Sequence, residues 1–466
     1  MLNSGHLISA TASCLLAFPV LAAELTLEEA INQALANNRD LAQAALSIQS
    51  SAIDLRAAHF EFLPTIAPDG SLGYDEDGRA ARAGLTASTK LKWGTQVEAG
   101  VSAGEQTSEF EEDQIDGALR VQVRQPLLRD RGRLVQEEPI RRAESGYLSV
   151  RRRYEQSRAD LVVQVARTHQ DLARLQQQVI YDEQSLERYL QLEKLTRVRS
   201  AQGRATRIDT LRVEFQRGSA EFDLSSTREQ LRSVQQDLAE LLGIAASADI
   251  VAVASPALDL VLPAPDEAEV IAFSNRLDFA DGLQRMKDSE RGVLVARNGV
   301  LPTLDLVTRY ERTGEGEDLG EAFSFDEEMW FLGLSGDSDV FRRNEKASLG
   351  RARIDVLSTE QQLEALKANI RRQVQQALLQ YQRSREQAVF AERNVTLAND
   401  RARLARRLFQ LGRGDNFTVT DAEAELLQAQ SRLLQSQTES TIAAYSVLRS
   451  LGTLVESPQE LKPESI

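Results

Sequence analysis

Apolar residues recur at intervals of three, four and seven along two long stretches of the chain. Leu161, Val165, Leu172, Leu175, Val179, Leu186 and Leu190 mark one seam; Leu363, Leu366 and Ile370, then Leu397, Leu404, Leu408 and Leu411, mark another. So narrow a stripe suits coiled-coil packing rather than a broad globular core. Residues 140–201 contain no proline and one glycine, Gly146. As a helix rising 1.5 Å per residue they would extend on the order of 90 Å. Two segments, Gln202-Gly203-Arg204-Ala205-Thr206 and Leu411-Gly412-Arg413-Gly414-Asp415, are predicted to reverse the chain. Glycine ends one helix in the left-handed conformation, and Thr206 and Asp415 can cap the next. Residues 208–242 and 417–451 then read as return helices.

The period changes between Pro64 and Pro126, where short alternating runs rich in Gly, Ser and Thr predict strands at 71–74, 85–93, 96–102 and 119–123. Strands are also predicted at 303–310 and 328–334, and the connections at 105–116 and 315–326 are acidic. Trp93, Tyr310 and Trp330 fall at predicted strand ends, where an outer-membrane barrel carries interfacial aromatics. They fit equally the core of an ordinary antiparallel sheet. Lipid accepts strands only as closed barrels, and single-chain barrels begin at about eight strands. With four to six strands here, a membrane location would require several chains to share one barrel.

The chain is also written twice. A shift of 238 lays Glu29-Ala30, Asn37, Asp40, Ala42, Ala58 and Leu63-Pro64 on Glu267-Ala268, Asn275, Asp278, Ala280, Ala296 and Leu301-Pro302. A shift of 209 lays Gly203-Arg204, Glu214, Ala220, Leu242 and Gly243 on Gly412-Arg413, Glu423, Ala429, Leu451 and Gly452. Two gapless matches in the same order argue for duplication. Each half opens with a helix, read as capped by Thr26 to Glu29 and by Asp266 to Glu269, and ended at Leu-Pro. The expected division is a signal peptide at 1–23, a first repeat at 24–255 (strands 63–126, hairpin 135–243), a second at 256–455 (strands 301–336, hairpin 343–452) and a tail at 456–466.

Composition narrows the function. The apolar run at 7–20, closed by the small residues Val20-Leu21-Ala22-Ala23, reads as an export signal, although a short buried helix would look similar and residues 1–6 lack Lys and Arg. Cleavage there would remove Cys14, the single cysteine, leaving no thiol chemistry; Thr11-Ala12-Ser13 before it matches a lipidation motif weakly. No later run is long and apolar enough for a transmembrane helix. The net charge of −15 has its basic residues dispersed, which disfavours nucleic acid. Of three histidines, His6 is in the signal, and His59 and His169 read as isolated surface or seam residues. No phosphate loop, paired-His or nucleophile motif occurs. The chain therefore reads as a non-enzyme without metal or cofactor.

These residues resemble the outer-membrane efflux proteins typified by TolC. Leu25-Thr26-Leu27-Glu28-Glu29-Ala30 with Ala34-Leu35-Ala36-Asn37-Asn38 is similar to that family's mature N-terminus. Phe62-Leu63-Pro64, Gln125-Pro126-Leu127-Leu128, and Leu411-Gly412-Arg413 with Val419-Thr420-Asp421-Ala422-Glu423 resemble its strand entrance, strand exit and second hairpin tip. The resemblance spans nearly all of 24–455. It implies a mainly α chain of long antiparallel coiled-coil hairpins, internally duplicated, whose strands join a shared trimeric barrel of twelve strands. It implies an outer membrane location in a Gram-negative cell with a periplasmic helical tunnel. It implies too that the hairpin tips, at Gly203, Arg204, Gly412, Arg413 and Gly414, dock a periplasmic adaptor that links an inner-membrane pump. Asp209, Asp415 and Asp421 would be candidates for the pore entrance, with helix capping as the simpler role. Two departures stand out: an extra hairpin turning near Lys92-Trp93-Gly94-Thr95, and Ser335-Gly336-Asp337 where a proline is expected. The rival reading is a periplasmic coiled-coil scaffold or the adaptor itself, but an adaptor offers one hairpin where this chain offers two.

Overall fold

The computed structural model describes residues 23–75, 78–108, 114–254 and 258–463. The expected signal segment up to Ala22, with His6 and Cys14, lies outside the described residues, as does Glu111-Glu112-Asp113. In chain order the elements are β1 (Ala23–Leu25), α1 (Leu27–Asn37), α2 (Arg39–Phe60), β2 (Thr65–Asp75), β3 (Gly78–Lys90), β4 (Gln96–Ser108), β5 (Gln114–Pro126), α3 (Arg133–Gln136), α4 (Glu138–Ala201) and α5 (Arg207–Leu242). Then follow β6 (Ile250–Ala252), α6 (Pro265–Asn275), α7 (Leu277–Gly299), β7 (Asp305–Gly316), α8 (Leu319–Ala322), β8 (Glu327–Ser335), α9 (Arg343–Gln410) and α10 (Asn416–Leu451). They form two compact units. One takes residues up to Leu41, Arg158–Leu262 and Gln376–Arg449; the other takes Ala42–Ser157, Pro263–Gln375 and the chain from Ser450. Each unit draws on both sequence repeats.

In the first unit, the helix after β1 starts in the expected capping box: Glu29 N–H donates to the Thr26 hydroxyl, and the Glu29 carboxylate accepts from Thr26 N–H. The expected single opening helix is instead two, because Asn38 leaves the helical region. Its side-chain amide donates to Leu241 O, and its oxygen accepts from Leu41 N–H. In the second unit Arg276 makes the same break between α6 and α7, and its guanidinium reaches Ser450 O. Asn38 and Arg276 differ by 238, and Leu241 and Ser450 by 209, so one contact occurs once in each repeat. The expected cap at Asp266 does not form. The helix starts two residues earlier, with Ala264 as its cap residue, Pro265 at its first position and no side-chain cap, because proline presets φ and has no N–H to satisfy. Glu269 pairs with Arg371 instead.

The seams are placed differently from the sequence reading. On α4, Leu161, Val165, Leu172 and Leu175 are buried, but Leu186 is half-buried and Leu190 exposed. The buried positions become Asp182, Ser185, Tyr189, Leu192 and Thr196, which keep the three-four spacing with side chains that, Leu192 apart, carry polar groups. On α9, Ile370 is buried and Leu363 and Leu366 are half-buried. Leu397, Leu404, Leu408 and Leu411 face outward; Ala398, Ala402, Ala405 and Phe409 pack with Leu192, Val213, Val419, Ala422 and Leu426 instead. Small alanines let helix axes approach to the short end of the usual 8–10 Å range, which a leucine seam would prevent. His169 is fully buried and bonds Leu25 O at 2.9 Å; burial holds its imidazole below the ordinary pKa.

In the second unit β2, β3, β4, β5, β7 and β8 form one antiparallel sheet in that order. The ladders run without a slip from Thr65↔Ser88 to Asp305↔Ser335. Most of these strands outrun their sequence signals because a ladder bonds backbone groups, so polar residues such as Glu311 and Arg312 continue it. The aromatics are not at strand ends as expected. Trp93 lies in the turn between β3 and β4, while Tyr310 and Trp330 are registered partners within β7 and β8.

Candidate functional sites: the hairpin tips and the strand sheet

Both tips end their long helix by the same device. Gly203 and Gly412 have φ of 70° and 72°. Arg204 N–H donates to Arg199 O and Gly203 N–H to Ser200 O; Arg413 N–H donates to Leu408 O and Gly412 N–H to Phe409 O. This pair of backward bonds is the Schellman arrangement, satisfied by a residue without Cβ. The next helix is capped by the same two residue types in exchanged order. Thr206 caps α5 with Asp209 at its third position, whereas Asp415 opens α10 and accepts from Thr418 N–H and hydroxyl.

Hence Asp209 and Asp415 cap helices, and their carboxyls sit below the ordinary range. The first does so through the Thr206 hydroxyl and then its backbone, the second through the Thr418 hydroxyl and then its backbone. A carboxylate depressed in the fold stabilises it above the unfolded value of about 3.9 and loses that contribution as pH falls through the lowered value. Hydrogen exchange at the amides of Thr206 and Thr418, which donate to the two carboxylates, corrected for intrinsic rate, should therefore be flat above about pH 4.5 and accelerate below about pH 4. Asp209→Asn with Asp415→Asn should remove that step.

The fold also joins the two tips. Asn416, buried, donates to Asp209 O at 3.0 Å. The Arg212 guanidinium lies 5.3 Å from the Phe417 ring centre, and that of Arg199 lies 4.0 Å from the Phe409 ring while donating to Phe409 O. Asp421 stands apart from this junction on α10, paired with Arg401 at 2.6 Å, where Glu425 also binds. Among the described residues, no side-chain bond joins Arg204 or Arg413 to it, and Gly414 has no side chain to bring.

Sequence reasoning missed the most buried charge near the tips. Glu423, almost wholly enclosed, has Arg188 Nε at 2.6 Å and Arg406 Nε at 3.3 Å. Tyr189 beside it is pushed up to about 12, by burial first and then by Glu423. The duplication held the signal: Arg197 and Glu214 of the first hairpin, 209 residues earlier, pair at 3.1 Å. Only the second copy is buried.

The sheet has two chemical faces. Side chains alternate along a strand, and the registers carry one face across all six. Ile66 and Leu72, Ala83 and Leu85, Ala99 and Val101, Leu119 and Val121, Leu306 and Tyr310, and Trp330 and Leu332 share it. The other face carries Asp69, Arg82, Thr86, Glu98, Ser102, Arg120 and Glu311, with Arg120 bonding Glu311 at 2.6 Å; Val307, Met329 and Phe331 are apolar exceptions on it, and Glu105, Arg312 and Glu328 are charged exceptions on the first. Among the described residues no helix is long and apolar enough to cross a membrane, which says nothing of strands. An apolar face left open to the surroundings, with polar groups opposite, matches a membrane barrel wall.

Residues 30–244 and 270–453 match the family described as outer membrane efflux protein. The chain belongs to that family. Family membership accounts for the duplicated hairpins and the strand sheet, and assigns the chain to transport in the Gram-negative outer membrane rather than to catalysis. The probable efflux pump outer membrane protein TtgC of Pseudomonas putida is 23% identical over 434 residues, covering 91% of this chain and 82% of that protein. Among solved structures, the CmeC outer membrane channel of Campylobacter jejuni matches with a TM-score of 0.73 at 14% identity, over 93% of this chain and 87% of that one. The outer membrane protein VceC of Vibrio cholerae matches at 0.70 and 16% identity, over 91% and 96%.

Proposed function

We propose that this efflux protein is the passive exit duct of a tripartite efflux or type I secretion system. Residues 1–23 direct export, and the repeats at 24–255 and 256–455 each supply a helical hairpin and part of a barrel wall. Three copies form the duct; Gly203, Arg204, Gly412, Arg413 and Gly414 meet a periplasmic adaptor that couples it to an inner-membrane pump. Asp209, Asp415 and Asp421 lie toward the pore entrance, and Trp93 toward the lipid interface, with Tyr310 and Trp330 on the apolar face of the wall. The observation that carries this reading is an uncovered seam on α9 and the first residue of the turn after it. Phe390, Leu397, Leu404 and Leu411 follow one another at intervals of seven and are 60%, 68%, 59% and 59% exposed. On α5, Ile208, Phe215 and Phe222 repeat the interval, 68%, 71% and 74% exposed. Heptad stripes of this kind pack against other helices, and among the described residues no helix covers them. A second copy does, α9 of one against α5 of the next, in a head-to-tail ring.

The test is the mass of the complex extracted by detergent from the outer-membrane fraction. A trimer of mature chains is expected. A monomer, or release of the protein without detergent, would reject the duct in favour of a soluble coiled-coil scaffold.

A further inference from the structure

From the strand sheet we infer that the barrel wall holds eighteen strands, six from each copy, rather than twelve. The inference rests on the trimer of the preceding section and concerns how much of each chain enters the membrane. β3 and β4 are the strands at issue, since they are the hairpin that a four-strand contribution lacks. An extension outside the membrane would leave β2 paired directly with β5. Instead β3 and β4 lie between them, pairing along their whole length from Gly78↔Ser108 to Lys90↔Gln96. They also carry the apolar face without a break, Leu85 beside Val101 beside Leu119. If β5 crosses lipid, strands in register with it cross at the same depth.

The turn of this hairpin is built into the helix-side end of the sheet. Leu91 N–H donates to Thr95 O, Gly94 N–H to Leu91 O, and Gly132 N–H to Trp93 O. Thr95 bonds the Gln125 side chain, and Lys92 lies 3.6 Å from Glu137 at the approach to α4. Lys90 pairs with Glu61 just after α2 at 2.6 Å. The hairpin is therefore held by the same segments that lead into the long helices.

Closure follows from parity. Six strands alternate in direction, so β8 of one copy runs antiparallel to β2 of the next, and a head-to-tail ring closes at any copy number. Both strands have a free edge in the sheet. An unpaired edge is not tolerated in lipid, and Trp330, Leu332 and Leu334 on β8 are exposed apolar side chains; the occupant of that edge is a second copy of this chain. With strands about 4.8 Å apart and tilted about 40°, eighteen enclose about 36 Å between backbones, against about 24 Å for twelve. The barrel is then too wide to be the size filter, which falls to the helical end.

Single cysteines test this, with the chain carrying no added cysteine as the blank: Leu85→Cys and Val101→Cys on the apolar face, Thr86→Cys and Ser102→Cys on the polar face, and Val121→Cys on β5 as the lipid reference. In intact outer membranes a water-soluble maleimide should modify the two polar-face cysteines at least about ten-fold faster than the other three, because the bilayer excludes it from the apolar face. Equal labelling of all four hairpin cysteines, in complexes that still have the trimer mass, overturns the eighteen-strand wall and leaves the duct standing. Alternating labelling in complexes of another mass overturns the copy number instead, and with it both the duct and the count.

Discussion

Glu423→Ala is expected to lower stability by about 3 kcal/mol, because removing one partner of a buried ion pair strands the other charge. Arg188 would be the stranded group: its side chain is mostly enclosed, whereas Arg406 is exposed enough to turn to water. Asp421→Ala, which breaks the half-exposed pair with Arg401, should cost under about 1 kcal/mol. Thermal unfolding of the detergent-solubilised protein distinguishes the two, and equal costs would show that Glu423 is not a buried anchor. A second reading comes from Tyr189. Glu423 helps to raise its phenol to about 12, so the alanine variant should titrate lower by ultraviolet absorbance, yet stay above the ordinary value because burial remains the larger cause.

Gly243→Ala is expected to be nearly as damaging, at about 3 kcal/mol, through the backbone rather than through charge. Gly243 ends α5 at φ 69°, and an added Cβ would stand 2.4 Å from Asn37 O. Its repeat counterpart Gly452 ends α10 at φ 72°, with the nearest atoms, of Asn275, at 3.0 Å. Gly203 has the same backbone conformation and open space around it, so alanine there should cost only about 1 kcal/mol. The expected order of melting temperatures is Gly203→Ala highest, Gly452→Ala next and Gly243→Ala lowest. A flat order would mean that the conformation alone matters and that packing of the hairpin base on the opening helix does not.

The hairpins, their turns and the duplication were all legible in the chain, because each is set by neighbours a few residues apart. Gly203 and Gly412 announce helix ends and Thr206 and Asp415 announce caps, whatever surrounds them. The same local logic identified strands between Pro64 and Pro126. It could not show that Asn38 and Arg276 break their helices, since each break is held by a carbonyl about two hundred residues away. Nor could it say which stripe is core. A heptad pattern states that something covers the leucines; only packing showed that Ala398, Ala402 and Ala405 face this chain's own helices while Leu397 and Leu404 face outward. Glu423 looked like one more helix glutamate, and its enclosure by Arg188 and Arg406 depends on three helices meeting. The strand count was undecided for a related reason. Alternation marks a strand without naming its neighbour, and only the ladders put β3 and β4 inside the sheet rather than beyond it.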